Sequence, residues 1–178
     1  MYLYIRVARV LAGALVKPRL GLDDVSELKL RVWPSDIDTY PEMNNGRYWT
    51  IMDLGRYDLA ARTGLMQMAH RKGWLFVVAG GSIRYRHRLP PFSRFILRTS
   101  LTGHDGRWFY FVQEFVRRGQ LAAQAVVRAG LRTEKELIPS ETILKAYGRE
   151  GWSPALPKWV QAWIESEDVR SVELAQSL

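Results

Sequence analysis

From Phe95 to Thr133 the chain alternates apolar and polar residues in three runs separated by short turn signals, and few folds besides an antiparallel meander accept that pattern. Phe95, Leu97, Thr99 and Leu101 share one face of the first run. Asp105-Gly106 marks a hairpin, Trp108 to Val116 forms the next strand, and Arg118-Gly119 turns the chain into a strand over about Leu121 to Thr133. A sheet of this kind has one apolar face that needs a cover.

The first half supplies the cover. Leu28, Leu30 and Val32 alternate with Lys29, Arg31 and Trp33 until Pro34-Ser35 ends the strand. A polar loop then leads into a helix from about Asn45 to Arg62, closed by Thr63-Gly64. Tyr48, Ile51, Met52, Gly55 and Leu59 lie on one helix face, and Leu54, Tyr57 and Ala60 widen it, so the helix is expected to be buried. Gly55 would let a strand approach closely. A short helix over Leu65 to Arg71 and a long strand from Trp74 to Arg88, stopped by Pro90-Pro91, complete the order β-α-β-β-β-β. The fold class is α+β, with about five antiparallel strands on a central helix.

Two extensions flank this unit of residues 26–135. In residues 1–20, Arg6, Arg9, Gly13 and Lys17 form one narrow polar stripe on an otherwise apolar helix that Pro18 stops. Such a helix packs on the domain or a partner subunit, or lies in a membrane interface; no 18-residue uncharged span is present for a crossing helix. In residues 139–178, Ser140 is the expected N-cap of a helix ending near Gly148, Pro157 opens another, and the last dozen residues are expected to fray.

Composition narrows the chemistry. A chain of 178 residues is one domain's worth, and the absence of cysteine removes disulfides, thiolate nucleophiles and Cys-ligated zinc. The net charge of +8 suits nucleic acid, acidic headgroups or a phosphate-bearing thioester, and without a nucleic-acid motif the first is the weakest reading. His70, His87 and His104 lack metal-ligand spacing, and Ala79-Gly80-Gly81-Ser82 is not a nucleophile elbow.

The loop Asp36-Ile37-Asp38-Thr39-Tyr40-Pro41-Glu42-Met43-Asn44-Asn45-Gly46 brings carboxylates to a helix N-terminus. Free amides there can polarise a carbonyl, and a carboxylate can activate water or attack directly. The same residues can equally be turn and capping groups. Asp53 and Arg56, three apart on the helix, either pair with each other or place Asp53 at a pocket.

The segment VWPSDIDTYPEMNNGRYWTIMDLGR, residues 32–56, resembles the signature of hotdog-fold acyl-CoA thioesterases of the 4-hydroxybenzoyl-CoA thioesterase-like group, and the chain as a whole is most similar to thioesterase superfamily member six-like proteins. Asp36, Asp38, Asn44, Asn45, Tyr48, Asp53 and Arg56 match it. The resemblance implies a hotdog fold and hydrolysis of an acyl-CoA thioester, with Asp38 as catalytic carboxylate and the amides of Asn44, Asn45 and Gly46 binding the thioester carbonyl. Asp36, Glu42, Tyr48 and Asp53 are expected around the substrate; Arg84, Arg86 and Arg88 alternate along one strand, with Tyr85 and His87 opposite, and either meet the phosphates of coenzyme A or are plain surface charge. No metal or redox cofactor is called for. A homodimer or dimer of dimers is implied, in the cytoplasm, with residues 1–17 as the segment that could touch a membrane. One departure stands out: Pro41-Glu42 replaces the Gly-His usual in the group, putting a second acid near Asp38. The competing reading is a non-catalytic hotdog protein that binds acyl-CoA or lipid.

Overall fold

The computed structural model describes Tyr2–Gln176, with side chains described over residues 4–173. The elements are α1 (Tyr2–Val16), β1 (Ser26–Arg31), a 3-10 turn over Pro34–Asp36, α2 (Asn45–Thr63), α3 (Leu65–Arg71), β2 (Leu75–Tyr85), β3 (Arg94–His104), β4 (Phe109–Arg117), β5 (Gln120–Arg132), β6 (Leu137–Ile138), α4 (Ser140–Tyr147) and α5 (Lys158–Gln176). The strands form one antiparallel sheet in the order β1-β3-β4-β5-β2, with β6 added to β5. This sheet wraps α2 in the hotdog manner.

Turn chemistry sets the meander. Asp105 Oδ1 accepts from the amides of Arg107 at 2.9 Å and Trp108 at 2.6 Å, closing the β3–β4 hairpin. Arg118 and Gly119 both hold positive φ, at 50° and 76°, the geometry a two-residue hairpin with right-handed strand twist requires.

The sheet's two faces carry different covers. Leu97, Phe115, Ala123, Ala125 and Val127 point at α2, where they join Tyr48, Ile51, Met52 and Leu54 in the main core. Gly55 sits where the helix crosses the sheet; a Cβ there would collide with the Thr99 hydroxyl and stand 2.9 Å from Gln113 Nε2. Intervening residues Tyr110, Val112 and Val126 point the other way and pack against Val160, Trp163 and Ile164 of α5.

Several boundaries differ from the sequence expectation. β2 stops at Tyr85 rather than Arg88, because the amides of Arg86 and His87 both turn to the single carbonyl of Ala122. The two-residue β6 adds a sixth strand. Ser140 is the first residue of α4 rather than its cap, a position taken by Pro139, and its buried hydroxyl lies 2.9 Å from His104 Nδ1. His104 belongs to the end of β3, not to the turn. The expected frayed tail is helical to Gln176: after Pro157 nothing breaks the helix, and its first turns are fastened to the sheet.

α1 packs in the reverse sense to its composition. Two of the stripe's three cations face the domain, while Arg9 stays exposed: Arg6 Nη2 reaches Asp36 Oδ2 at 2.7 Å and Lys17 Nζ reaches Asp58 Oδ1 at 3.0 Å, both carboxylates being buried. Val7 and Val10 join the core between them. No described helix is long and apolar enough to cross a membrane.

Candidate active site at the head of the central helix

The loop before α2 is a tight ribbon. Ile37 and Met43 form an isolated antiparallel bridge, and Met43, 2% exposed, anchors the ribbon in the core. Asn44 N–H donates to the Asp36 carbonyl at 2.8 Å and Asp38 N–H to the Glu42 carbonyl at 3.4 Å. That register sets Asp38 opposite Glu42, on the side of the ribbon away from Met43. Asp38 is exposed; its Oδ1 accepts the Tyr40 amide at 2.9 Å, and it has no cationic partner among the described residues.

The motif's other aspartate has a different setting. Asp36 closes the 3-10 turn and is 1% exposed, with Oδ2 accepting from Arg6 and, at 2.9 Å, from the amide of Trp33. It holds the loop and α1 together and lies beneath the ribbon rather than on its open side.

At the helix head the three expected carbonyl-binding amides are not equivalent. Asn44 caps α2, its Oδ1 accepting the Gly46 N–H at 2.8 Å, and its own N–H is spent on Asp36. The N–H of Asn45 is left without an acceptor among the described residues, at the positive end of a 19-residue helix. Tyr48, one turn on, is buried and packs against Phe115 with centroids 4.8 Å apart. Burial pushes its hydroxyl well above the ordinary phenol range, and Tyr85 and Glu42 push the same way. Tyr85 meets Tyr48 edge-on at 5.0 Å, with its hydroxyl 3.5 Å from the Asn45 carbonyl. Tyr85 follows Arg84 in β2 and so projects from the opposite face of the strand, a placement legible in the alternation though not assigned to the site by it.

Asp53 and Arg56 lie on adjacent turns of α2. They pair with each other, and Arg56 also donates to Gln113 Oε1 at 2.6 Å, while Gln113 Nε2 bonds the Met52 carbonyl and Thr99. The pair also borders a cavity of about 140 Å³ whose walls include Leu59, Phe76, Leu101 and Phe111. From Asn45 to Asp53 is ~12 Å along the helix, so this cavity lies beyond the loop site. Arg84, Arg86 and Arg88 are all exposed, but only Arg84 is within β2.

A family model described as the thioesterase-like superfamily matches residues 32–164. Protein THEM6 of Xenopus laevis is 34% identical over 146 residues, covering 80% of this chain and 69% of that protein. Protein THEM6 of Drosophila melanogaster is 25% identical over 171 residues, covering 94% and 86%. Among solved structures, the gentisyl-coenzyme A thioesterase BH1999 superposes with a TM-score of 0.61 at 16% identity, over 67% of this chain and 99% of that one. A 1,4-dihydroxy-2-naphthoyl-CoA thioesterase from Synechocystis gives 0.58 at 12% identity, over 70% and 95%.

Proposed function

The chain belongs to the thioesterase-like superfamily, and on that premise we propose that it hydrolyses acyl-CoA thioesters with Asp38 as the catalytic carboxylate. The observation that carries the proposal is that one loop presents both an exposed carboxylate lacking a cationic partner among the described residues, Asp38, and, where it enters α2, an unused helix-head amide, Asn45 N–H. The thioester oxygen accepts that amide and the helix dipole stabilises the charge that grows on it. Asp38 takes a proton from water as its oxygen bonds the acyl carbon, or attacks that carbon itself. The C–S bond then breaks and coenzyme A leaves as the thiol; the water route gives the free acid at once, whereas direct attack leaves the acyl group on Asp38 as an anhydride, which water hydrolyses to the free acid and the regenerated carboxylate.

Around this centre, the 140 Å³ cavity is proposed for the far end of the acyl group; a void of that size takes about one six-membered ring. Arg84, Arg86 and Arg88 are proposed for the coenzyme's phosphates. β2 pairs with β5 on one edge and exposes Leu75, Phe76 and Val78 beside the other, which supports a homodimer joined at that edge. A cysteine-free chain handling coenzyme A fits the cytoplasm.

Thiol release from short, long and aromatic acyl-CoAs tests the reading. Asp38→Asn should lower the rate by roughly 10²–10⁴ with no fall in melting temperature; an undiminished rate would remove Asp38 from the role. Glu42 opposite Asp38, where the group has His, favours a second reading, a protein that binds acyl-CoA without turnover. Saturable binding with no thiol released from any substrate would establish it.

A further inference from the structure

With Arg6 and Lys17 turned inward, α1 presents apolar residues to the outside. Tyr4, Ile5, Leu15 and Val16 are 77%, 54%, 82% and 86% exposed, and Ala8 and Ala12 fill the face between them. At 3.6 residues per turn these six cover an arc of ~120°, with Arg9 at its border.

Beyond that border the surface is basic. A groove of about 1210 Å³ runs between α1 and the β1–β3 edge, with Leu28 and Phe95 in its floor. Arg9, Lys29, Arg31, Arg94 and Arg118 line it without a carboxylate partner among the described residues. Its acid, Glu27, is held by Arg98 at 2.8 Å.

We propose that this side of the protein lies on an anionic lipid surface, the outer face of α1 settling into the interface while the groove's cations meet the phosphate headgroups. The two features are adjacent and ask for a ligand that is apolar and anionic side by side. A nucleotide would answer the cations and leave the apolar arc in water. A second copy placed face to face would bring like charges together. Because Arg6 and Lys17 fasten α1 to buried Asp36 and Asp58, the helix is already ordered for docking.

The test is flotation of the full chain with vesicles of phosphatidylcholine, alone and mixed with phosphatidylglycerol. The protein is expected to float with the mixed vesicles only, and less so as salt is raised. Leu15→Asp combined with Val16→Asp, at positions open to solvent, should abolish flotation without moving the melting temperature. Arg9→Gln and Arg94→Gln should each weaken partitioning about five-fold. No flotation with the mixed vesicles, or flotation indifferent to Leu15→Asp and Val16→Asp, overturns the proposal. So does displacement by free coenzyme A, which would make the groove a nucleotide site, or a change of oligomeric state in the double variant, which would make the face an interface between copies.

Discussion

Two pairs of carboxylates, Asp36 with Asp58 and Asp38 with Glu42, illustrate how one chemical group serves opposite ends. Asp36 and Asp58 are buried and answered by cations: Arg6 for the first, Lys17 and Arg62 for the second, with Ser26 Oγ donating to Asp58 at 2.7 Å. Asp38 and Glu42 face each other on the open side of a ribbon with no cation among the described residues to balance them. Only one residue separates Asp36 from Asp38. What separates their roles is the 3-10 turn that points Asp36 down under α1 and the Ile37–Met43 bridge that sends Asp38 outward. The buried pair supports the fold, and the open pair is available to a ligand.

The largest effect expected of this contrast is on stability. Asp58→Asn leaves Arg62 buried without its counter-charge, a loss of about 3–5 kcal/mol, read as a fall in melting temperature on the order of 10 °C for a chain of this size. A change of less than ~1 kcal/mol would place the ionic cluster among ordinary surface pairs. Lys17→Met is the graded version. Lys17 is 35% exposed in the pair and Arg62 remains on Asp58, so the expected loss is about 1 kcal/mol or less. If it matched Asp58→Asn, the anchoring of α1, rather than the burial of charge, would be the dominant contribution.

The parts of this arrangement that the sequence discloses are those with local causes. α2 and the meander follow from spacing and turn residues within a few positions of each other, and Gly55 follows from a missing side chain on a buried face. The inward turn of α1 is different: Arg6 and Lys17 find their partners 30 and 41 residues away, so a helical wheel registers their stripe but not its direction. The end of β2 is likewise decided by the Ala122 carbonyl on another strand. Within the loop, the motif groups Asp36, Asp38 and the Asn-Asn-Gly entry correctly as neighbours. It treats three amides as equal, however, and only the cap formed by Asn44 distinguishes Asn45 N–H from the two already bonded. The cavity beside Asp53 draws its lining from six elements, α2, α3 and β2 to β5, and has no local signature.

The smallest expected effect bears on the open pair. Like charges directly opposite on an antiparallel ribbon destabilise it, so Glu42→Gln should raise stability by about 0.2–1 kcal/mol, a gain visible by thermal melting. Asp38→Asn relieves the same opposition and should give a gain of similar size. Because either change alone removes the repulsion, the double variant should be no more stable than the better single one. Additive gains would mean that the two side chains diverge and do not interact, and that Glu42 lies outside the site. Activity then separates the two carboxylates: thiol release that survives Glu42→Gln but not Asp38→Asn makes Glu42 a tolerated neighbour, whereas loss in both makes the two acids partners in the reaction.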